Sequence, residues 1–91
     1  MINQSSLEVF ELIKPELSKR QALVLYAIHH LNINNIPCSD KQISNFLKLP
    51  INQIVPRRAE LEKFNRIYSI GRFYDGISQV KCNLWHIRGG L

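Results

Sequence analysis

At Ile67 the apolar periodicity of this chain changes from helical to alternating, and no all-helical or all-strand fold accommodates both halves. Upstream, helix-start signals recur. Ser5 with Glu8, Ser18 with Gln21 and Ser39 with Gln42 each have the capping-box spacing. In that arrangement the hydroxyl accepts from an early helical amide and the Glu or Gln side chain reaches back to the cap. Downstream, residues 67–73 and 79–88 alternate as strands do, with Asp75-Gly76 between them as a turn signal. The chain is therefore expected to be α+β, a helical bundle followed by a C-terminal β-hairpin.

The punctuation sets approximate bounds. A first helix over 6–14 ends near Lys14-Pro15, because a residue before proline avoids the helical region. A second, over 18–32, carries Val24, Leu25, Ile28 and Leu31 on one face. The asparagine-rich stretch at 32–35 breaks it, and Ile36-Pro37-Cys38 reads as a short extended piece. A third helix, over 40–47, turns Ile43, Phe46 and Leu47 inward, and Leu49-Pro50 turns the chain. Asn52 is expected to cap a fourth helix that reaches Phe64 and buries Ile54 and Leu61. Pro56 fits its first turn and costs a backbone hydrogen bond if it lies later. Asn65 suits the left-handed residue that ends many helices, and the 89–91 tail is expected to fray.

Ninety-one residues make one domain with a modest core. Its charge is uneven. Residues 1–16 hold Lys14 against Glu8, Glu11 and Glu16, a net of −2. Residues 17–91 hold eleven basic side chains against four acidic ones, a net of +7. A basic body of this kind suits a polyanionic partner. No apolar run approaches the ~20 residues of a membrane span, and the opening Met1-Ile2-Asn3-Gln4 lacks the charged start of a signal peptide. Cys38 and Cys82 fit neither a C-x-x-C pair nor a disulfide framework and read as small buried hydrophobes. These features set the expectation of a cytoplasmic protein without a membrane partner.

Site chemistry is sparse. His29, His30 and His86 with the two cysteines match no zinc spacing, and no phosphate loop, nucleophile elbow or paired carboxylates occur. No metal, cofactor, small-molecule ligand or enzymatic activity is expected. Trp85 is expected in the core, and Tyr68 and Phe73 are expected to hold the hairpin onto the helices.

Residues 39–50, Ser-Asp-Lys-Gln-Ile-Ser-Asn-Phe-Leu-Lys-Leu-Pro, are followed by residues 54–62, Ile-Val-Pro-Arg-Arg-Ala-Glu-Leu-Glu, and the chain closes on Leu84-Trp85-His86-Ile87. Together they resemble a winged helix-turn-helix DNA-binding domain. The likeness is to small phage and prophage winged-helix proteins with a Val-x-Pro-Arg-x-x-Glu-Leu recognition helix. It spans about three-quarters of the chain, dividing it into an N-terminal extension at 1–16 and a winged domain at 17–88. Two positions depart from the family pattern: Asn65 stands where glycine is common, and Val55 where related helices carry arginine or another polar residue.

The resemblance implies that helix 52–64 enters the major groove of double-stranded DNA, where base edges carry a readable code. Arg57 is then placed to pair with guanine and Gln53 with adenine, while Asn52 and the free amides of the helix start hold a phosphate. Lys63 shares the outward face. Arg58 lies at the buried edge, its stem packed and its guanidinium directed toward Glu62 or DNA. The wing offers Arg72, Tyr74 and Lys81; Lys41, Gln42 and Lys48 complete the set of backbone contacts. The implied role is a sequence-specific transcriptional or replication regulator of phage or mobile-element type. Two alternatives stay open: a winged-helix protein adaptor that blocks a host factor, and an architectural, excisionase-like DNA protein. Residues 1–16, with Leu7, Val9, Phe10, Leu12 and Ile13, either pack on their own domain, form a homodimer or dock on a partner.

Overall fold

The computed structural model describes residues 17–89. The first capping box, the helix over 6–14 and the last two residues of the tail lie outside them.

Helix α1, Lys19–Ile33, starts where its capping box requires. The Ser18 hydroxyl accepts from the Gln21 amide at 3.2 Å, and the Gln21 side chain accepts from the Ser18 amide at 3.0 Å. Its face at Ala22, Val24, Leu25, Ala27, Ile28 and Leu31 is buried and forms one wall of the core. Helix α2, Asp40–Leu47, and helix α3, Ile51–Lys63, supply Ile43 and Leu47, and Ile54 and Leu61, to the same core. A two-stranded antiparallel sheet follows, β1 at Ile67–Phe73 and β2 at Cys82–Ile87. Ile67 and Trp85 close the core from that side.

Three residues, Lys48 to Pro50, join α2 to α3. Lys48 takes the left-handed conformation, and the Leu49 amide returns to the Ser44 carbonyl at 3.2 Å. The Ser44 hydroxyl donates to the Leu49 carbonyl, so both backbone groups of Leu49 are held. The cap expected at Asn52 is absent: α3 begins at Ile51, Pro50 occupies the cap position, and no side chain caps it. With Pro50 extended at the cap position, the helix starts two residues earlier than a cap at Asn52 would set it. Pro56 consequently falls beyond the first turn and removes the amide that would bond the Asn52 carbonyl. Asn65 is left-handed as expected, with φ of 61°.

The hairpin is held to α1 through Asn32. Its side chain donates to the Trp85 carbonyl at 3.1 Å and accepts from the Ile87 amide at 2.9 Å. The extended piece before α2 contributes one further bond, from the Trp85 amide to the Cys38 carbonyl at 2.8 Å, without becoming a strand. Pairing runs from Ile67–Ile87 to Phe73–Cys82 and slips at a bulge between Ser69 and Arg72, where Gly71 has φ of 124°.

The expected turn is corrected. Asp75 does not sit at the tip of a tight hairpin; it is buried, and β2 starts at 82 rather than 79. Residues 74–81 form a loop that folds back onto the start of α2. Trp85 is in the core as expected, whereas Phe73 is exposed instead of packing on the helices. Tyr68 is at the edge of exposure, with the Arg88 guanidinium 4.9 Å from its ring.

Candidate nucleic-acid interface

Two groups of expected site residues come together on different sides of α3. On the first, Asn52, Gln53, Pro56 and Arg57 border a shallow hollow with Arg20 of α1. Arg20 donates to the Gln53 side chain at 2.9 Å. Arg57 pairs with Glu60 one turn on, at 3.1 Å, and the Gln21 amide group donates to the same carboxylate at 2.8 Å. The outward side of α3 is thus tied to the start of α1 by polar side chains. Arg20 escaped the sequence reading. Its position in the first turn of an amphipathic helix signals only a solvated charge, and its neighbour in space lies 33 residues away.

The second group lies in a cleft of about 640 Å³ between α2, the start of α3 and the hairpin. Lys41, Arg72 and Lys81 line it, with Ser44, Asn45 and Asn83. Arg72 donates to the Lys81 carbonyl at 3.2 Å, which fixes the arginine across the strand pair. Tyr74 is exposed nearby, the Lys81 ammonium 6.0 Å from its ring centroid. Lys48 and Lys63 are exposed but border neither the hollow nor the cleft.

Two further expected contacts, Arg58 and Gln42, are engaged across elements inside the protein. Arg58 donates from Nε and Nη2 to both oxygens of Asp40, at 2.8 and 2.9 Å, and from Nη1 to Glu62 at 3.3 Å. Its carbon stands 4.4 Å from the Trp85 ring centroid. With a side chain only 14% exposed, this arginine is a strut between α3, α2 and β2 rather than a free cation. The expected Glu62 contact is present; the Asp40 fork is the larger commitment. Gln42 donates its side-chain amide to the Asp75 carbonyl at 3.1 Å, so the third capping box is half formed: Ser39 caps, but Gln42 serves the loop.

Asp75 explains why the loop is held there. Its carboxylate accepts from the Ser39 hydroxyl and from the Ile77 and Ser78 amides, at 2.9 and 2.7 Å for the amides. Burial pushes this carboxyl up, but the hydrogen bonds from Ser39, Ser78 and Ile77 outweigh burial and bring it down to about 2. Burial likewise pushes the Cys38 thiol up to about 12, which leaves it a packed, inert group.

The four carboxylates of the described residues all have internal partners: Asp40 and Glu62 on Arg58, Glu60 on Arg57 and Gln21, Asp75 on Ser39 and its own loop. Lys19, Lys41, Lys48, Lys63 and Lys81 are exposed and make no ion pair among the described residues. No known protein family, curated protein or solved structure matches the chain. Among the described residues no helix is long and apolar enough to cross a membrane.

Proposed function

We propose that residues 17–88 are a winged helix-turn-helix domain that binds double-stranded DNA, with α3 directed into the major groove and the hairpin lying on the flanking backbone. The observation that carries this reading is the disposition of charge. Each acid has a partner within the protein, though Glu60 and Glu62 stay partly exposed, while Arg20 of α1 and Lys41, Lys48, Lys63, Arg72 and Lys81 around α2, α3 and the hairpin remain at the surface. The outward side of α3, with Asn52, Gln53 and Arg57, supplies side chains that can bond base edges. The three-residue link between α2 and α3 suits a helix-turn-helix. In this role the protein is a sequence-specific regulator of transcription or replication.

A second reading, a protein-binding adaptor, is favoured by one observation: Ile70, Phe73, Tyr74, Ile77 and Val80 of the hairpin are all exposed, more apolar surface than a backbone-tracking wing needs.

Fluorescence anisotropy against labelled random-sequence duplex, at ~50 and ~200 mM salt, separates the two. DNA binding predicts affinity that falls steeply with salt, and a further loss in Arg57→Ala. No binding at the lower salt overturns the DNA reading and leaves the apolar hairpin as the surface to pursue.

A further inference from the structure

Leu23 of α1, Leu47 at the end of α2 and Leu49 of the following turn line a groove together with Lys19 and Arg20. The groove begins within two residues of Ser18, where the N-terminal segment joins the domain. We propose that residues 1–16 of the same chain cover this groove and thereby draw Arg20 away from α3.

Three observations select this occupant. The first is chemistry: the groove has a leucine floor with two cations, and the segment carries Leu7, Val9, Phe10, Leu12 and Ile13 interleaved with Glu8 and Glu11. Its net charge of −2 opposes a body of +7, so attraction favours the domain over repulsion between like bodies. The second is attachment. A segment tethered beside its groove meets it at an effective concentration in the millimolar range, whereas a second copy must be supplied from solution. Pro15 disfavours the helical conformation at Lys14, so the segment is not expected to run into α1 as one continuous helix. The third is Arg20 itself, which borders both the groove and the hollow on α3 and donates to Gln53. A glutamate at the groove competes with Gln53 for that guanidinium with a stronger, charge-assisted bond. The segment then acts as an internal polyanion at the edge of the proposed recognition helix.

The docking itself stands apart from the DNA reading; its consequence for DNA rests on it. The test uses the full chain with p-benzoylphenylalanine in place of Phe10, mixed as ¹⁴N- and ¹⁵N-labelled protein, irradiated and read by peptide mass spectrometry. Expected are cross-links within one isotope to peptides containing Leu23 or Leu47 to Leu49, with a severalfold loss of yield in Glu8→Lys/Glu11→Lys. Both positions lie outside the described residues, and circular dichroism checks that the domain is retained. Cross-links that fall on the hairpin, cross-links that join ¹⁴N to ¹⁵N chains, or the absence of any cross-link overturns the proposal. In the duplex-binding assay Glu8→Lys/Glu11→Lys is expected to bind more tightly than the parent. If no variant binds duplex, the DNA reading fails while the cross-linking result still decides the docking.

Discussion

Neighbouring arginines on α3 do different work, and the difference is set by what lies across the core rather than by the arginines themselves. Arg58 meets Asp40 in a two-pronged ion pair against the Trp85 ring, whereas Arg57 meets only Glu60 on its own helix. Replacing Arg58 with alanine strands the Asp40 carboxylate and removes a strut between two helices. It is expected to cost roughly 1–3 kcal/mol in urea unfolding. The Arg58→Ala/Asp40→Ala double variant should lose less than the two single losses combined. Arg57→Ala removes an exposed pair and is expected to change stability by under about 1 kcal/mol, while weakening duplex binding. Asp75 is the second residue of consequence. Because its folded carboxyl is held at about 2, below the ordinary 3.8, it contributes stability that is fully present above pH ~4. That contribution is lost as the pH falls toward 2. Thermal unfolding at stepwise lower pH should show a fall in Tm across this window, and Asp75→Ala should be less stable at pH 7 and flatter through it.

At the scale of elements, the local signals were legible and the distant ones were not. Ser18 and Ser39 cap the helices that follow them, and the change of period at Ile67 marks the start of β1. These depend on groups within four residues of each other. The loop is not legible because Asp75-Gly76 is a local hairpin signature, while the partner that captures the carboxylate, Ser39, is 36 residues away. Helix geometry alone places Arg58 near the buried edge, but its partner Asp40 is visible only once α2 packs on α3. Two backbone positions carry expectations of their own. Lys48 adopts φ of 60° at the end of α2, a conformation that costs a non-glycine residue about 1–2 kcal/mol. Lys48→Gly is expected to raise stability by up to about 1 kcal/mol and to reduce the salt dependence of duplex binding by one contact, read by urea melts and by anisotropy. Gly71 sits at the bulge with φ of 124°, where a Cβ would lie 2.9 Å from the Phe73 ring. Gly71→Ala is therefore expected to destabilise the hairpin by about 1–3 kcal/mol.

For the molecule as a whole, the excess of positive charge matters because of where the negative charge has gone. The net charge of +7 sets the field at a distance whether or not the acids are paired, and internal pairing decides which cations stay free to meet a phosphate at contact. Here Asp40, Glu60, Glu62 and Asp75 are bound to groups of the protein itself, which leaves the exposed lysines without an ion pair among the described residues. Three of them, Lys41, Arg72 and Lys81, line one cleft although they come from α2, β1 and the loop before β2. Cations gathered this way act on a phosphate backbone without reading its bases, so their removal should weaken all duplex sequences alike. Each lost phosphate contact lowers the slope of log K against log salt by roughly 0.9, so Lys41→Gln/Arg72→Gln/Lys81→Gln is expected to flatten it by up to about 2.7. Arg57→Ala should instead reduce the preference between sequences. Titrating both variants against two unrelated duplexes over a salt series distinguishes these outcomes. If the triple variant keeps the parent slope, the backbone does not pass through the cleft, and the hairpin's exposed apolar side chains become the better guide to its partner.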